Sequence, residues 1–178
     1  MSDLGGSRLM VTSARESRVA RFKKWGLIAA PVAAILFQVY VPLFFQGLSY
    51  LELPLLVTVY FALMRREQVF GVFTGAAIGL VQDSLSHQPL GMFGIVKTLV
   101  GYFAASIGMR FDVEHVVVRF LLGLFFFFFH QFFYWVLSRA LLGQLVDFDA
   151  QRTFFLGLLN AFVGISLFHF LDKLKERV

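Results

Sequence analysis

The sequence predicts an all-α polytopic membrane protein with six transmembrane helices and with both termini in the cytoplasm. Three observations support this fold class. Of the 178 residues, 58% are hydrophobic and only 15% are charged, which is more apolar surface than one water-soluble core can hide. The apolar residues fall into six runs joined by short polar segments. Thirteen of the sixteen Lys and Arg residues lie at ends of runs that this topology places inside the cell.

A membrane-crossing helix needs about 20 apolar residues, although shorter helices are accommodated by tilted neighbours or a thinned bilayer. The second and third runs are short and are separated only by Arg65, Arg66 and Glu67. They therefore form either a tight helical hairpin or a partly re-entrant pair. The predicted spans are residues 25–48, 53–64, 69–82, 89–109, 116–138 and 153–171.

Basic segments flank the predicted transmembrane domain of residues 25–171. Residues 1–24 hold six of the sixteen basic residues, and residues 172–178 form a basic cytoplasmic tail. The apolar run that begins at Trp25 exceeds the ~7–15 residues of a signal peptide's apolar region, so we interpret it as an uncleaved first span. We expect Arg15 to Lys24 to contact anionic membrane lipids or cytoplasmic partners. Because the basic residues cluster beside apolar runs, nucleic acid is not an expected partner.

A glycine repeat marks the third span. Gly71, Gly75 and Gly79 share one helix face, and the next step of four residues reaches Asp83. Repeated glycine on one face favours close contact with another helix, because glycine is otherwise costly in a helix interior. The fourth span has a comparable series of small residues, namely Gly91, Gly94, Thr98, Gly101, Ala105 and Gly108. We predict that spans three and four pack together along this seam; the alternative is the general enrichment of glycine in membrane helices.

Four spans place a polar residue at a common depth, about 10–15 Å from the outer end of each helix. This predicted polar layer consists of Gln38, Lys97, His130 and Asn160. Buried polar residues in a membrane face the bundle interior or a cavity, so the layer is either an internal hydrogen-bond network or the lining of a ligand pocket. Lys97 is expected either to pair with Asp83 or Glu52, or to reach interfacial water or lipid phosphate unaided.

Sequence signatures of intramembrane enzymes are missing. The chain has no cysteine, no His-Glu-x-x-His motif and no Gly-x-Ser-x-Gly turn, and its four histidines lack metal-ligand spacing. Aspartyl catalysis would need two carboxylates within the membrane, but Glu52, Asp83, Asp147 and Asp149 lie at or beyond the predicted outer boundary. We therefore expect no catalytic residue, no metal and no cofactor, and a protein that acts by binding.

Residues 52–108 resemble the MreD family of bacterial rod-shape-determining membrane proteins. The resemblance rests on a glycine-spaced helix that ends in Leu-x-x-Asp, a short loop with Leu-Gly and a helix that ends near Gly-Tyr. The matching stretches are Glu52-Leu53-Pro54-Leu55-Leu56, Tyr60-Phe61-Ala62-Leu63, Gly71 to Gly79, Leu80-Val81-Gln82-Asp83, Pro89-Leu90-Gly91 and Gly101-Tyr102. The long basic N-terminal segment and the run of phenylalanines from Phe125 to Phe129 depart from the family pattern.

The resemblance implies a non-enzymatic scaffold of the elongasome in the bacterial cytoplasmic (inner) membrane. Its principal partner would be MreC, with MreB, RodA and a class B penicillin-binding transpeptidase in the wider complex that builds the side wall. The family is similar in fold to the substrate-binding subunits of energy-coupling-factor vitamin transporters, which supply the rival hypothesis. Those subunits use Ala-x-x-x-Ala to contact their coupling partner, and Ala29, Ala30, Ala33 and Ala34 give that spacing twice.

Overall fold

A computed structural model describes residues 22–86, 89–144 and 149–176, and these residues form six α-helices. Four described stretches are long and apolar enough to cross a membrane: Lys24–Leu43, Gln46–Arg65, Val116–Leu142 and Ala150–Asp172. The helices are α1 (Lys24–Tyr40), α2 (Leu53–Arg65), α3 (Gln68–Leu85), α4 (Met92–Gly108), α5 (Val116–Leu142) and α6 (Ala150–Asp172).

Two helix ends differ from the predicted spans by four residues or more, and the other ends differ by three or fewer. The first span was predicted to continue to residue 48, but α1 ends at Tyr40 and two 3₁₀ turns follow, Val41–Leu43 and Gln46–Tyr50. Pro42 lies at the start of the first turn, where its missing N–H cannot continue the α-helical ladder. The fifth helix extends beyond residue 138 to Leu142 and stops at Gly143, whose φ of 61° is a conformation that glycine adopts without strain.

Helices α2 and α3, which were predicted as the second and third spans, form a tight hairpin. Arg66 ends α2 in the left-handed conformation, with φ 56°, and Glu67 immediately precedes α3. Pro54 stands in the first turn of α2, where a missing N–H costs nothing. The short connection makes α2 and α3 antiparallel neighbours.

Helix α2 is the centre of the bundle. Every residue from Pro54 to Met64 is buried, and α2 contacts each of the other five helices. Its sequence is apolar on all sides, which is typical of a helix without a solvent-facing stripe. Rings from α2 pack edge to face with Phe22, which precedes α1, at 5.8 Å from Tyr60 and 5.1 Å from Phe61.

The chain segments at either end of the described bundle meet each other. The amide of Lys23 donates to the carbonyl of Leu174 over 3.2 Å, and Phe22 forms an antiparallel bridge with Lys175. Most of the predicted basic segment, residues 1–21, lies outside the described residues, as do Arg177 and Val178 of the tail. Phe22 is only 5% exposed, so the start of the first span is anchored in the core.

Helices α3 and α4 approach until their backbones touch. A Cβ atom added at Gly71 would overlap the carbonyl oxygen of Gly101, and one added at Gly101 would overlap the carbonyl oxygen of Gly71. A Cβ atom added at Gly75 would likewise overlap the carbonyl oxygen of Lys97, and one added at Gly79 would overlap that of Phe93. Such an approach is open only to residues without a side chain.

The other glycines of the predicted seam have different neighbours. Gly94 faces the Leu80 side chain of α3, whereas Gly108 faces the Leu63 carbonyl of α2. Gly91 does not belong to the seam, because a Cβ there would meet nothing within 4 Å. Gly91 instead precedes α4 with φ 98°, a backbone conformation that favours glycine.

Replacing Gly75 with alanine is expected to separate α3 from α4, because the new Cβ would collide with backbone rather than with a movable side chain. We expect a loss of about 1–3 kcal/mol, the usual cost of overpacking, measured as a lower melting temperature of the purified protein in detergent. Gly123→Ala is the matched control, since its Cβ would lie at an ordinary 3.7 Å from Ala161. Equal stability of the two variants would contradict the close α3–α4 contact.

Candidate functional site

Asp83 holds the start of α4. Its Oδ2 accepts hydrogen bonds from the amides of Gly91 and Gly94, and its Oδ1 accepts one from the amide of Phe93, each over 3.0 Å. The first amides of a helix have no partner within it and carry partial positive charge, so a carboxylate there is favourable. Asp83 is 1% exposed. Both oxygens of Asp83 are therefore occupied inside the bundle, where the residue has a structural role.

Lys97 is wholly buried and points toward α5. Its ammonium lies 3.4 Å from Nε2 of His130 and 4.3 Å from the centre of the Phe93 ring. Phe93 stacks on His130 and on Tyr134, with ring centres 5.9 and 5.1 Å apart. We call Lys97, His130, Phe93 and Tyr134 the Lys97 cluster. An ammonium only donates, so a charged Lys97 requires Nε2 of His130 to accept and leaves the ring proton on Nδ1.

The predicted ion pair between Asp83 and Lys97 is not formed in the part of the chain that the structure describes. The physical reason is that three amides at the start of α4 occupy both oxygens of Asp83. The Lys97 ammonium lies instead beside His130 of α5. The cost of burying the Lys97 ammonium is offset by the imidazole of His130 and by the face of the Phe93 ring.

The members of the predicted polar layer occupy three separate places. Lys97 and His130 meet, as described. Asn160 is fully buried; its Oδ1 accepts from the amide of Glu52, and its Nδ2 donates to the carbonyl of Tyr50, both over 2.8 Å. Gln38 is partly exposed and donates to the carbonyl of Ser49 over 3.3 Å. The side chains fix local backbone around them, and the described residues show no single network that joins all four.

A second polar cluster, which the sequence did not predict, lies at the opposite end of α2. Asp172 of α6 accepts from Arg119 of α5 at both carboxylate oxygens, over 2.6 and 3.3 Å. It also accepts from the Tyr60 hydroxyl over 2.8 Å and pairs with Lys175 at 2.8 Å. Nε of Arg119 donates to the carbonyl of Val113 over 2.9 Å. We call Asp172, Tyr60, Arg119 and Lys175 the Asp172 cluster.

The sequence carried a signal for this cluster. Arg119 lies inside the predicted fifth span, and a buried guanidinium needs an acid. Asp172 immediately follows the predicted sixth span, at the same side of the membrane in the predicted topology. The Arg119–Asp172 pair is therefore predictable, because Arg119 is the charged residue of its span and Asp172 is an acid at the same depth. Arg119 was instead used only as evidence for the topology.

Two apolar grooves cross the surface of the bundle. A groove of about 380 Å³ lies between α1 and α3, lined by residues such as Ile28, Val32, Phe73 and Ala77. A smaller groove of about 210 Å³ lies where α1 meets α2 and α6, and Ala30, Ala33 and Ala34 contribute to it. Among the described residues, no group of three or more His, Asp or Glu side chains is placed to hold a metal ion.

The fold and these contacts define a class of protein: an all-helical, multi-pass membrane bundle in which buried polar groups hold helices to one another. A comparison with protein-family models identifies the family within this class. Residues 19–178 match the family model of rod shape-determining protein MreD, so the chain belongs to the MreD family. It is thus a multi-pass protein of the bacterial inner membrane with a role in rod shape determination. No curated protein and no solved structure matches the chain.

Removing the Asp83 carboxylate is expected to loosen the start of α4. Asp83→Ala leaves the three amides without their acceptor, and an unpaired buried amide costs about 1–3 kcal/mol. Asp83→Asn keeps one acceptor oxygen and should lose less. Amide hydrogen exchange at residues 93–96 is the measurement, with Asp112→Ala as the control at an exposed acid. Unchanged exchange in Asp83→Ala would contradict the capping role.

The loss of stability on disrupting the Asp172 cluster is expected to depend on which of its side chains is replaced. Arg119→Met keeps the apolar stem but removes the bidentate partner of Asp172, and we expect a loss of about 1.5–3 kcal/mol, as for hydrogen bonds to a charged group. Tyr60→Phe removes one hydrogen bond, worth about 1 kcal/mol. Arg139→Met, at an exposed arginine of α5, is the control and should be near neutral. Melting temperatures in detergent rank the three; a loss in Arg139→Met as large as in Arg119→Met would argue against the cluster.

Proposed function

We propose that this chain is a non-enzymatic scaffold of the elongasome that binds MreC and supports side-wall peptidoglycan synthesis. The observation that carries the proposal is the family match, which covers residues 19–178 and therefore the entire described bundle. MreB, RodA and a class B penicillin-binding transpeptidase would belong to the wider complex. The expected chemistry is recognition, without a catalytic step.

The contacts of the buried polar side chains support a scaffold. Asp83 is occupied by three amides of α4, and Asp172 by Arg119, Tyr60 and Lys175. Lys97 is fully enclosed beside His130. Each of these ionisable groups connects two or more helices, so its present role is to fix the arrangement of the bundle. Partner binding would then use the lipid-facing side chains and the loops.

The proposed topology has six spans with both termini in the cytoplasm. Arg65, Arg66 and the Asp172 cluster lie toward the end of the bundle where α2 and α6 finish. Arg139 and Arg152 lie toward the opposite end, stacked on Trp135 and Tyr50 respectively. Retention of basic residues inside the cell orients the first end toward the cytoplasm. Nothing in the described residues favours the vitamin-transporter subunit, and it forms no part of the proposal.

The test is co-purification with MreC from a membrane extract. The native chain and Gly123→Ala are expected to retain MreC, whereas Gly75→Leu should lose it because the α3–α4 contact shapes the bundle surface. A melting curve of each purified variant separates loss of binding from loss of folding. Failure of the folded native chain to retain MreC would overturn the proposed partner.

The binding face can be located in the same extract by photo-crosslinking. A photoreactive residue replaces one exposed apolar side chain on each side of the bundle: Phe73 on α3, Phe103 on α4, Leu121 on α5 and Phe155 on α6. A partner with a single membrane span has one contact surface, so crosslinks to MreC should concentrate on one or two adjacent positions. Equal crosslinking at all four positions would indicate non-specific proximity and contradict a defined interface.

A further inference from the structure

The connection between α1 and α2, residues 41–51, exposes apolar side chains at a place where a water-facing loop would be polar. Leu43, Phe44 and Phe45 are 74%, 81% and 66% exposed. The segment has no charged residue, and neither does the sequence from Trp25 up to it. We call residues 41–51 the apolar loop.

Much of the backbone of the apolar loop is hydrogen-bonded within the protein. The amides of Phe44 and Phe45 both donate to the carbonyl of Val41 over 3.0 Å, and those of Leu48 and Leu51 donate to carbonyls three residues earlier. Side chains satisfy three further carbonyls. Ser49 Oγ donates to the carbonyl of Gln46, Gln38 Nε2 to that of Ser49, and Asn160 Nδ2 to that of Tyr50. Backbone groups at membrane depth need such internal partners, because hydrocarbon offers them no hydrogen bonds, whereas water does.

The length of α2 places the apolar loop below the membrane surface. Thirteen residues of α-helix rise about 20 Å, whereas the hydrocarbon core is about 30 Å thick. Arg65 and Arg66 fix the far end of α2 at one boundary of the core, because two adjacent arginines are not stable within it. Leu53 then lies about 10 Å short of the other boundary, and the residues just before it must cover that depth.

We propose that the apolar loop is embedded in one leaflet of the membrane, with Leu43, Phe44 and Phe45 in contact with lipid acyl chains. Helix α1, which leads into the loop, also exposes large side chains at intervals of four residues, namely Val32, Leu36 and Tyr40. A lipid chain fits this surface because it demands no hydrogen bond. The inference is independent of MreC binding and goes beyond the scaffold role.

The absence of native cysteine allows a direct test with single spin labels. Phe44→Cys is labelled in nanodiscs of phosphatidylethanolamine and phosphatidylglycerol, and electron paramagnetic resonance compares its accessibility to oxygen and to an aqueous nickel chelate. Phe162→Cys, at an exposed position within α6, is the lipid control; Gln144→Cys, in the exposed connection after α5, is the aqueous control.

The Phe44 label is expected to resemble the Phe162 label, with a ratio of oxygen to nickel accessibility several-fold above that at Gln144. A ratio equal to that at Gln144 would overturn the proposal. Leu43→Cys provides the second measurement if Phe44→Cys does not fold. The experiment is repeated with purified MreC in the nanodisc. Loss of accessibility to both reagents there would show that a protein covers the loop, and would overturn lipid as its occupant.

Discussion

Burial of a short helix on all of its sides is the constraint on which the other elements depend. Helix α2 has no face left for lipid or water from Pro54 to Met64, so the remaining five helices must surround it. Polar groups hold it at both ends. The amide of Glu52 donates to Asn160 of α6, and the hydroxyl of Tyr60 donates to Asp172 at the end of the same helix. Helix α6 therefore positions α2 along its length through hydrogen bonds at two depths.

The contact between α3 and α4 has a similar organising effect on the polar groups around it. The carbonyls of Phe93 and Lys97 face glycines of α3, and the Lys97 side chain meets His130 of α5. The same contact brings the end of α3 beside the start of α4, where Asp83 receives three amides. A series of residues without side chains thus places the buried Asp83 carboxylate beside its hydrogen-bond partners.

The sequence was most informative where a physical pattern repeats. Apolar runs and basic ends predicted the helices, and glycine at intervals of four indicated the closely approached face of α3. It was least informative where the outcome depends on direction or on local backbone. Spacing alone placed Gly91 in the seam, although glycine is favoured there because the backbone has a positive φ. Depth alone grouped Gln38 with Lys97, although depth does not determine which way a side chain faces around its helix. Both errors concern rotation or local backbone conformation, which a residue count along a span does not determine.

The distribution of polar contacts bears on how a bundle of this kind can act. Its most deeply buried charged groups, Asp83 and Lys97, are engaged between helices, and Arg119 is bound to Asp172. Breaking such contacts during a reaction cycle would cost several kcal/mol each, because each would leave a buried charge uncompensated. The grooves on the bundle surface are lined mainly by apolar side chains, so filling them breaks none of these contacts. The proposed binding role would leave these contacts intact, and the family match gives the chain a role in rod shape determination.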